Sequence, residues 1–316
     1  MKRPPLLLLA LVLVAGTTAC SSSDAAITPG VAIGPNGITP PRLAPVRGWM
    51  SPDVKARTSL LYVSDASDDL VDVFSVPGYK LKGQITDGID DPEGLAIDQK
   101  GKLYVSNYES GTVTVYKPGA TSPALTLGGL TDPDDVVVQK DGYVFVSDYY
   151  GDSIAVFAPG KTSAKTHLTD AYVKLIFGLG IDSHDNVYLT GWGAQYSYSP
   201  LVLEFVKGKG GLVDLDLNGM YIPSGVLVDP KGDVIESDFG RDVVNIYAVG
   251  QKSPTSTIST IEPDRSAFND KEDLIYIPSG QEDDVEVAHY PSGSLGPSIS
   301  IGGFAAGAAV FPASKP

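Results

Sequence analysis

The strongest constraint on this chain is that it repeats. Six segments read alike: LLYVSD at Leu60–Asp65, KLYVSN at Lys102–Asn107, YVFVSD at Tyr143–Asp148, NVYLTG at Asn186–Gly191, DVIESD at Asp233–Asp238 and LIYIPS at Leu274–Ser279. Their aligned positions Tyr62, Tyr104, Phe145, Tyr188, Ile235 and Tyr276 follow at intervals of 42, 41, 43, 47 and 41 residues. A fixed period of this length marks a chain of supersecondary units, none of which buries its apolar surface alone.

Each period holds the same parts. A short apolar strand comes first, as in Gly94–Asp98 (GLAID) and Gly225–Asp229 (GVLVD). A polar turn such as QKGK or PKGD leads to the recurring segment, which is β-branched and aromatic with no helical period. An alternating strand follows, as in Thr112–Tyr116 (TVTVY) and Ser153–Phe157 (SIAVF), then a turn and a weaker outer strand such as Ala124–Leu127. Four strands, labelled a to d from the centre outward, make one blade of a β-propeller. The ends argue for a ring over an open solenoid. The first unit lacks strand a, and Gly307–Phe311 (GAAVF) is an orphan strand of that type. Pairing the two removes the exposed sheet edges. The sequence predicts an all-β, six-bladed β-propeller over 59–316, closed by a C-terminal strand joining the first blade. One unit departs from the pattern, with a polar strand a near Ser266–Asp270 (SAFND).

The N-terminus reads differently. Lys2 and Arg3 precede an apolar run, Leu6–Val14, and small residues at Ala15–Ala19. This is the anatomy of a signal peptide over 1–19. The only cysteine, Cys20, follows directly and excludes a disulfide framework. The stretch Thr17–Cys20 resembles the lipobox of bacterial lipoproteins, with Thr17 where leucine is usual. That resemblance implies lipidation of Cys20 and a protein held outside the cytoplasm, in the periplasm or at the cell surface. Residues 20–58 are rich in Ser, Ala, Pro and Gly and read as a tether. Trp49 and Met50 break its composition and are expected to dock on the domain.

The pattern PEGLAID…GKLYVSN…TVTVY, at Pro92–Tyr116, resembles the NHL-repeat propellers and, more loosely, the streptogramin-lyase and SMP-30/gluconolactonase-like propellers. The SMP-30 resemblance implies a divalent metal held by acidic and amide side chains where inner strands begin. Glu93 and Asp134 are the metal candidates here, but the aligned Phe177 and Ser224 offer no comparable ligand and no Asn occurs at these positions. The streptogramin-lyase resemblance implies a histidine at the channel mouth. His167, His184 and His289 are expected in outer strands or turns instead. No GxSxG or phosphate-binding loop is present. No cofactor is predicted, while a structural or catalytic divalent cation stays open. Asp65, Asn107, Asp148 and Asp238 recur after the LYVS strand and form a candidate binding ring. Recurrence at a strand end favours loop capping.

In a propeller the b–c and d–a loops share one face and the a–b and c–d turns the other. Sorted this way, acids collect on the loop face: Asp65, Asp68, Asp69, Glu109, Asp152, Asp242, Glu282, Asp90, Asp91, Glu93, Asp132, Asp134, Asp135 and Asp264. Lysines such as Lys100, Lys102, Lys140, Lys231, Lys117 and Lys161 collect on the turn face. The loop face also carries Tyr108, Tyr149, Tyr150, Trp192, Tyr196, Tyr198 and Phe239, with a long loop at Gly191–Pro200. The formal charge of −15 argues against nucleic acid and against adsorption to anionic lipid. The expected function is ligand or protein binding, with a protein, peptide or carbohydrate partner at the acidic, aromatic loops. The domain is expected to be monomeric and to meet the membrane through its lipid alone. The alternative is a metal-dependent, lactonase-like hydrolase or a lyase at the channel mouth near Glu93. Because the tether feeds strand b of the first blade, the lysine face is expected to look toward the membrane.

Overall fold

The computed structural model describes residues 48–52, 54, 59–169, 173–193, 199–207 and 211–312. Cys20, the apolar leader, Tyr196 and Tyr198 lie outside them. Among the described residues no helix is long and apolar enough to cross a membrane.

Six small antiparallel sheets follow one another along the chain, making a six-bladed propeller. Blade 2 is typical, running from Pro92–Ile97 at the axis through Leu103–Asn107 and Thr112–Tyr116 to Leu125–Leu127 at the rim. Blade 1 takes its inner strand from the C-terminus. Ala305–Phe311 pairs with Leu60–Asp65 in the register Leu60↔Phe311 to Ser64↔Gly307. The ring therefore closes with both ends of the domain in one sheet.

Alternation explains how the blades pack. Successive side chains of a strand point to opposite faces, and each face of an inner blade meets a different neighbour. Leu61 and Val63 pack with Tyr276, Val285 and Val287 of blade 6. Leu60 and Tyr62 pack with Leu95, Val105 and Tyr116 of blade 2. Because both faces are buried, the LYVS strands read as almost unbroken apolar runs. Strand a breaks register against strand b near its start in blades 1, 2, 3 and 5. This extra residue is a β-bulge, a device that re-aims side chains. The serine of LYVS serves the bulge. Ser147 Oγ accepts from Asp135 N at 2.8 Å, and Ser64 Oγ donates to Glu93 O of the next blade at 2.6 Å.

Three expectations change. Trp49–Met50 does dock, as a fifth strand on the outer edge of blade 1, paired Trp49↔Gln84 and Met50↔Gly83. The sheet thus begins inside the stretch read as tether. The register also puts Gly48, beside Gln84 O and Thr86 N, at the loop-face end of that edge. The described chain therefore reaches the propeller from the loop-face rim, which removes the premise for turning the lysine face to the membrane. The Gly191–Pro200 segment is not wholly a loop: Val187–Gly193 and Ser199–Phe205 extend as a hairpin with Trp192 opposite Pro200.

Candidate functional site

The site is built on one position of strand a, the residue after the bulge. In chain order it holds Gly94, Asp135, Gly178, Gly225, Arg265 and Gly307. The glycines are there because adjacent inner strands nearly touch. A Cβ on Gly178 would lie 2.6 Å from Gly225 Cα, and one on Gly307 2.6 Å from Glu93 O. Asp135 and Arg265 are the two exceptions. Asp135 is stitched to its own blade and the next, accepting from Val136 N and from Leu179 N at 2.7 Å each.

Arg265 crosses the axis. Its Nη1 lies 2.9 Å from Glu93 Oε2 of blade 2 and 3.0 Å from Asp264 Oδ1 of its own blade, and donates to Ala306 O of blade 1 at 3.3 Å. Its Nη2 lies 2.5 Å from Asp134 Oδ2 of blade 3. One guanidinium thus ties together the inner strands of four blades. All five charged side chains are buried, Asp134 completely.

Four carboxylates around one cation cannot all hold full charge in a buried site. Burial pushes Asp135 up to about 7 and Asp264 to about 6, each pulled back in part by Arg265. Burial likewise holds Glu93 well above the usual carboxylate range and raises Asp134, against the pull of Arg265. Those four carboxylates in turn hold Arg265 firmly protonated against the opposing effect of burial.

Glu93 and Asp134, the two candidate ligands, do converge, but on a guanidinium. A hard cation needs several free oxygens around one point, and here it would have to displace Arg265. Among the described residues no group of three or more His, Cys, Asp or Glu side chains is placed to hold a metal ion. His167 sits on the outer strand of blade 3, His184 in an a–b turn, and His289 at the outer end of strand c in blade 6.

The recurrent loop acids have structural tasks. Asp148 Oδ1 accepts from Thr131 N and Asp132 N at 2.9 and 3.0 Å. Asp238 accepts from Tyr221 N and Ile222 N, Asn107 from Asp90 N, and Asp65 from Asp68 N. All four side chains are buried in these caps, so none is displayed to a partner. A second set reaches to the following blade: Asp69 accepts from Asp91 N, Asp152 from Leu175 N and Asp242 from Glu262 N. These three have φ of 53°, 47° and 57°. Aspartate is among the few residues with a side chain that tolerate this left-handed region.

What remains on the loop face is an aromatic arc. Phe177 holds in blade 4 the position that Glu93 and Asp134 hold in blades 2 and 3. Tyr149 lies 5.2 Å from Phe177 and 6.4 Å from Tyr108 between ring centres. Phe177 meets Trp192 edge-on at 5.8 Å, and Tyr149 meets Tyr150 edge-on at 4.6 Å. Burial and the nearby carboxylates, Asp134 among them, raise the Tyr108 and Tyr149 hydroxyls far above their usual range. Tyr108, Tyr149 and Phe177 form the buried base, Trp192 is half-buried, and Tyr150 is 49 % exposed.

Sequence reasoning missed Arg265 and a second buried acid. Glu236 replaces the valine, leucine or isoleucine of the other LYVS strands and is fully buried, with Asn245 Nδ2 donating to it at 2.8 Å. Burial pushes it up to about 8. The signal for Arg265 was available: Pro92-Glu-Gly, Pro133-Asp-Asp, Pro223-Ser-Gly and Pro263-Asp-Arg align at the bulge.

No family model and no curated protein sequence matches this chain. Solved structures do. The crystal structure of a nidogen/laminin complex contains a chain that superposes with a TM-score of 0.68 at 14% identity, covering 80% of this chain and 98% of that one. A chain of Kuenenia stuttgartiensis hydrazine synthase superposes with a TM-score of 0.58 at 15% identity, covering 78% and 96%. At such low identity these likenesses establish the propeller fold and nothing finer.

Proposed function

We propose that this chain is a lipid-anchored, extracytoplasmic binding module of the NHL type, whose loop face takes a basic segment of a protein partner. The observation that carries this reading is the aromatic arc from Tyr108 to Trp192, spanning three blades beside an axis with more carboxylates than cations. Aromatic faces attract ammonium and guanidinium groups, and neighbouring negative charge favours the same ligand. A metal-dependent hydrolase centred on Glu93 is disfavoured, because that carboxylate is already engaged by Arg265. In this reading Cys20 carries the lipid, and Cys20→Ser releases the protein from the membrane fraction.

The chain has two tryptophans, Trp49 and Trp192. Trp49→Phe therefore leaves Trp192 as a fluorescent reporter on the arc. Titration with a decapeptide of alternating lysine and glycine is expected to give a saturable change that weakens with salt. Adding Tyr150→Ala should weaken it about tenfold, the scale of a partly desolvated cation–π contact. No saturable change up to millimolar peptide, or indifference to Tyr150→Ala, would sink the reading.

A further inference from the structure

A second concave site lies on the opposite face. Below Arg265 the inner strands enclose a cavity of about 500 Å³ that continues to the a–b turns. This is within the size range of small-molecule pockets, about 300–1,000 Å³. Its wall is built in layers by the same register that sets the glycine position. The layer nearer the turns is a complete ring of apolar side chains, one from each blade: Ile97, Val138, Ile181, Val228, Phe268 and Val310. The layer above it contributes Leu95, Val136, Leu179, Val226 and Ala308, with Ser266 in the sixth place. Asp135 and Arg265 line the closed end.

The chemistry of that end selects the ligand. Arg265 is 6 % exposed and lines the channel, while both its terminal nitrogens are engaged by carboxylates. A guanidinium at one end of an otherwise apolar channel favours an acceptor oxygen there over a hydrocarbon terminus. That oxygen should be uncharged, because four carboxylates already surround the guanidinium and an added anion would meet an excess of like charge. At the mouth, Lys100, Lys102 and Lys140 are interspersed with Asp98, Asp141 and Glu272, so the rim has no strong preference of sign.

We propose that the channel is a binding site for a slender, uncharged apolar molecule carrying one hydrogen-bond-accepting oxygen, a medium-chain ketone or alkanol in kind, entered from the turn face with its oxygen toward Arg265. This site is separate from the loop face and stands or falls independently of the partner proposed there.

The test is calorimetric titration of the full-length Cys20→Ser chain, which carries no acyl group to compete, with 2-nonanone and with nonanoate. The expected result is one saturable site for the ketone, with nonanoate at least about tenfold weaker, as repulsion from the surrounding carboxylates and desolvation of the added charge dictate. Val228→Trp, at the half-buried ring near the mouth, should abolish ketone binding while leaving the circular-dichroism spectrum and the thermal melt close to those of the parent. That second readout certifies the fold, and Ile181→Trp repeats the test from another blade. Absence of ketone binding overturns the proposal. So does nonanoate binding as tightly as the ketone, or full ketone binding by both folded tryptophan variants.

Discussion

Arg265→Leu removes the only cation among four buried carboxylates. Leucine is close enough in volume that the main loss is electrostatic. The substitution severs the bonds to Glu93, Asp134, Asp264 and the Ala306 carbonyl, so the inner strands of blades 1, 2, 3 and 6 are no longer tied together. Removing one partner of a buried ion pair typically costs about 3–5 kcal/mol, because the other is left uncompensated. For a domain of this size each kcal/mol moves Tm by about 2–4 °C, so a fall of about 6–20 °C is expected. The orphaned acids relieve the strain by binding protons, so the destabilisation should be smaller at pH 5.5 than at pH 8. Asp134→Leu added to Arg265→Leu should recover part of it, since one uncompensated charge goes too. Scanning calorimetry at both pH values measures all of this. A single variant melting within about 2 °C of the parent, or one destabilised equally at both pH values, would refute the picture of Arg265 as the counter-ion that holds the ring closed.

Two further outcomes follow from the same region and its caps. Asp135, Asp264 and Glu236 have folded-state pKa values of about 7, 6 and 8, above their ordinary 3.8, 3.8 and 4.5. The folded protein therefore binds more protons than the unfolded chain between about pH 4 and 8, and stability is lost as pH rises through that window. Urea denaturation should give a larger unfolding free energy at pH 5.5 than at pH 8, with a flatter profile in Glu236→Gln; a stability that rises with pH contradicts the burial argument. Asp148→Ala should lower stability by about 2–3 kcal/mol by stranding the Thr131 and Asp132 N–H groups, while Asp148→Asn, which keeps an acceptor, should cost under about 1 kcal/mol. Equal effects of the two in thermal melts would return Asp148 to the binding candidates.

The fold was legible because its information is local and repeated. Strands such as LLYVSD and KLYVSN announce themselves by β-branched and aromatic content, and their even spacing with an orphan GAAVF implies a closed ring. The docked strand was half legible: Trp49 and Met50 stand out from their neighbours, but their pairing with Gly83 and Gln84 depends on an edge that exists only after blade 1 has formed. The site was far less legible. Glu93 and Asp134 do lie at the axis, but their partner is 172 residues from Glu93. Arg265 escapes notice because strand a of that unit is polar and its reading as Ser266–Asp270 starts one residue late. A polar residue at a position the repeat reserves for glycine is the feature to look for, because a tight ring tolerates a side chain there only where it bridges to a neighbour.

The aspartates carry a different lesson. Composition suggested that the acidity of this chain chooses its partner, yet much of it builds the ring. Asp65, Asp148 and Asp238 cap their loops, Asp69, Asp152 and Asp242 reach to the next blade, and Asp98, Asp182 and Asp229 close a–b turns through backbone N–H groups. A carboxylate held by backbone N–H groups is fixed in place and partly neutralised, so it gives long-range attraction more than specific contact. Selectivity then has to come from surfaces that the scaffold leaves open to a ligand. On the loop face that is the exposed ring of Tyr150, backed by the aromatic arc. In the channel it is the apolar wall and the small exposed part of Arg265. A partner that bound through the capping aspartates would have to break the loops it was recognising, and for that reason the aromatic arc and the axial arginine are where binding energy can be gained without unbuilding the propeller.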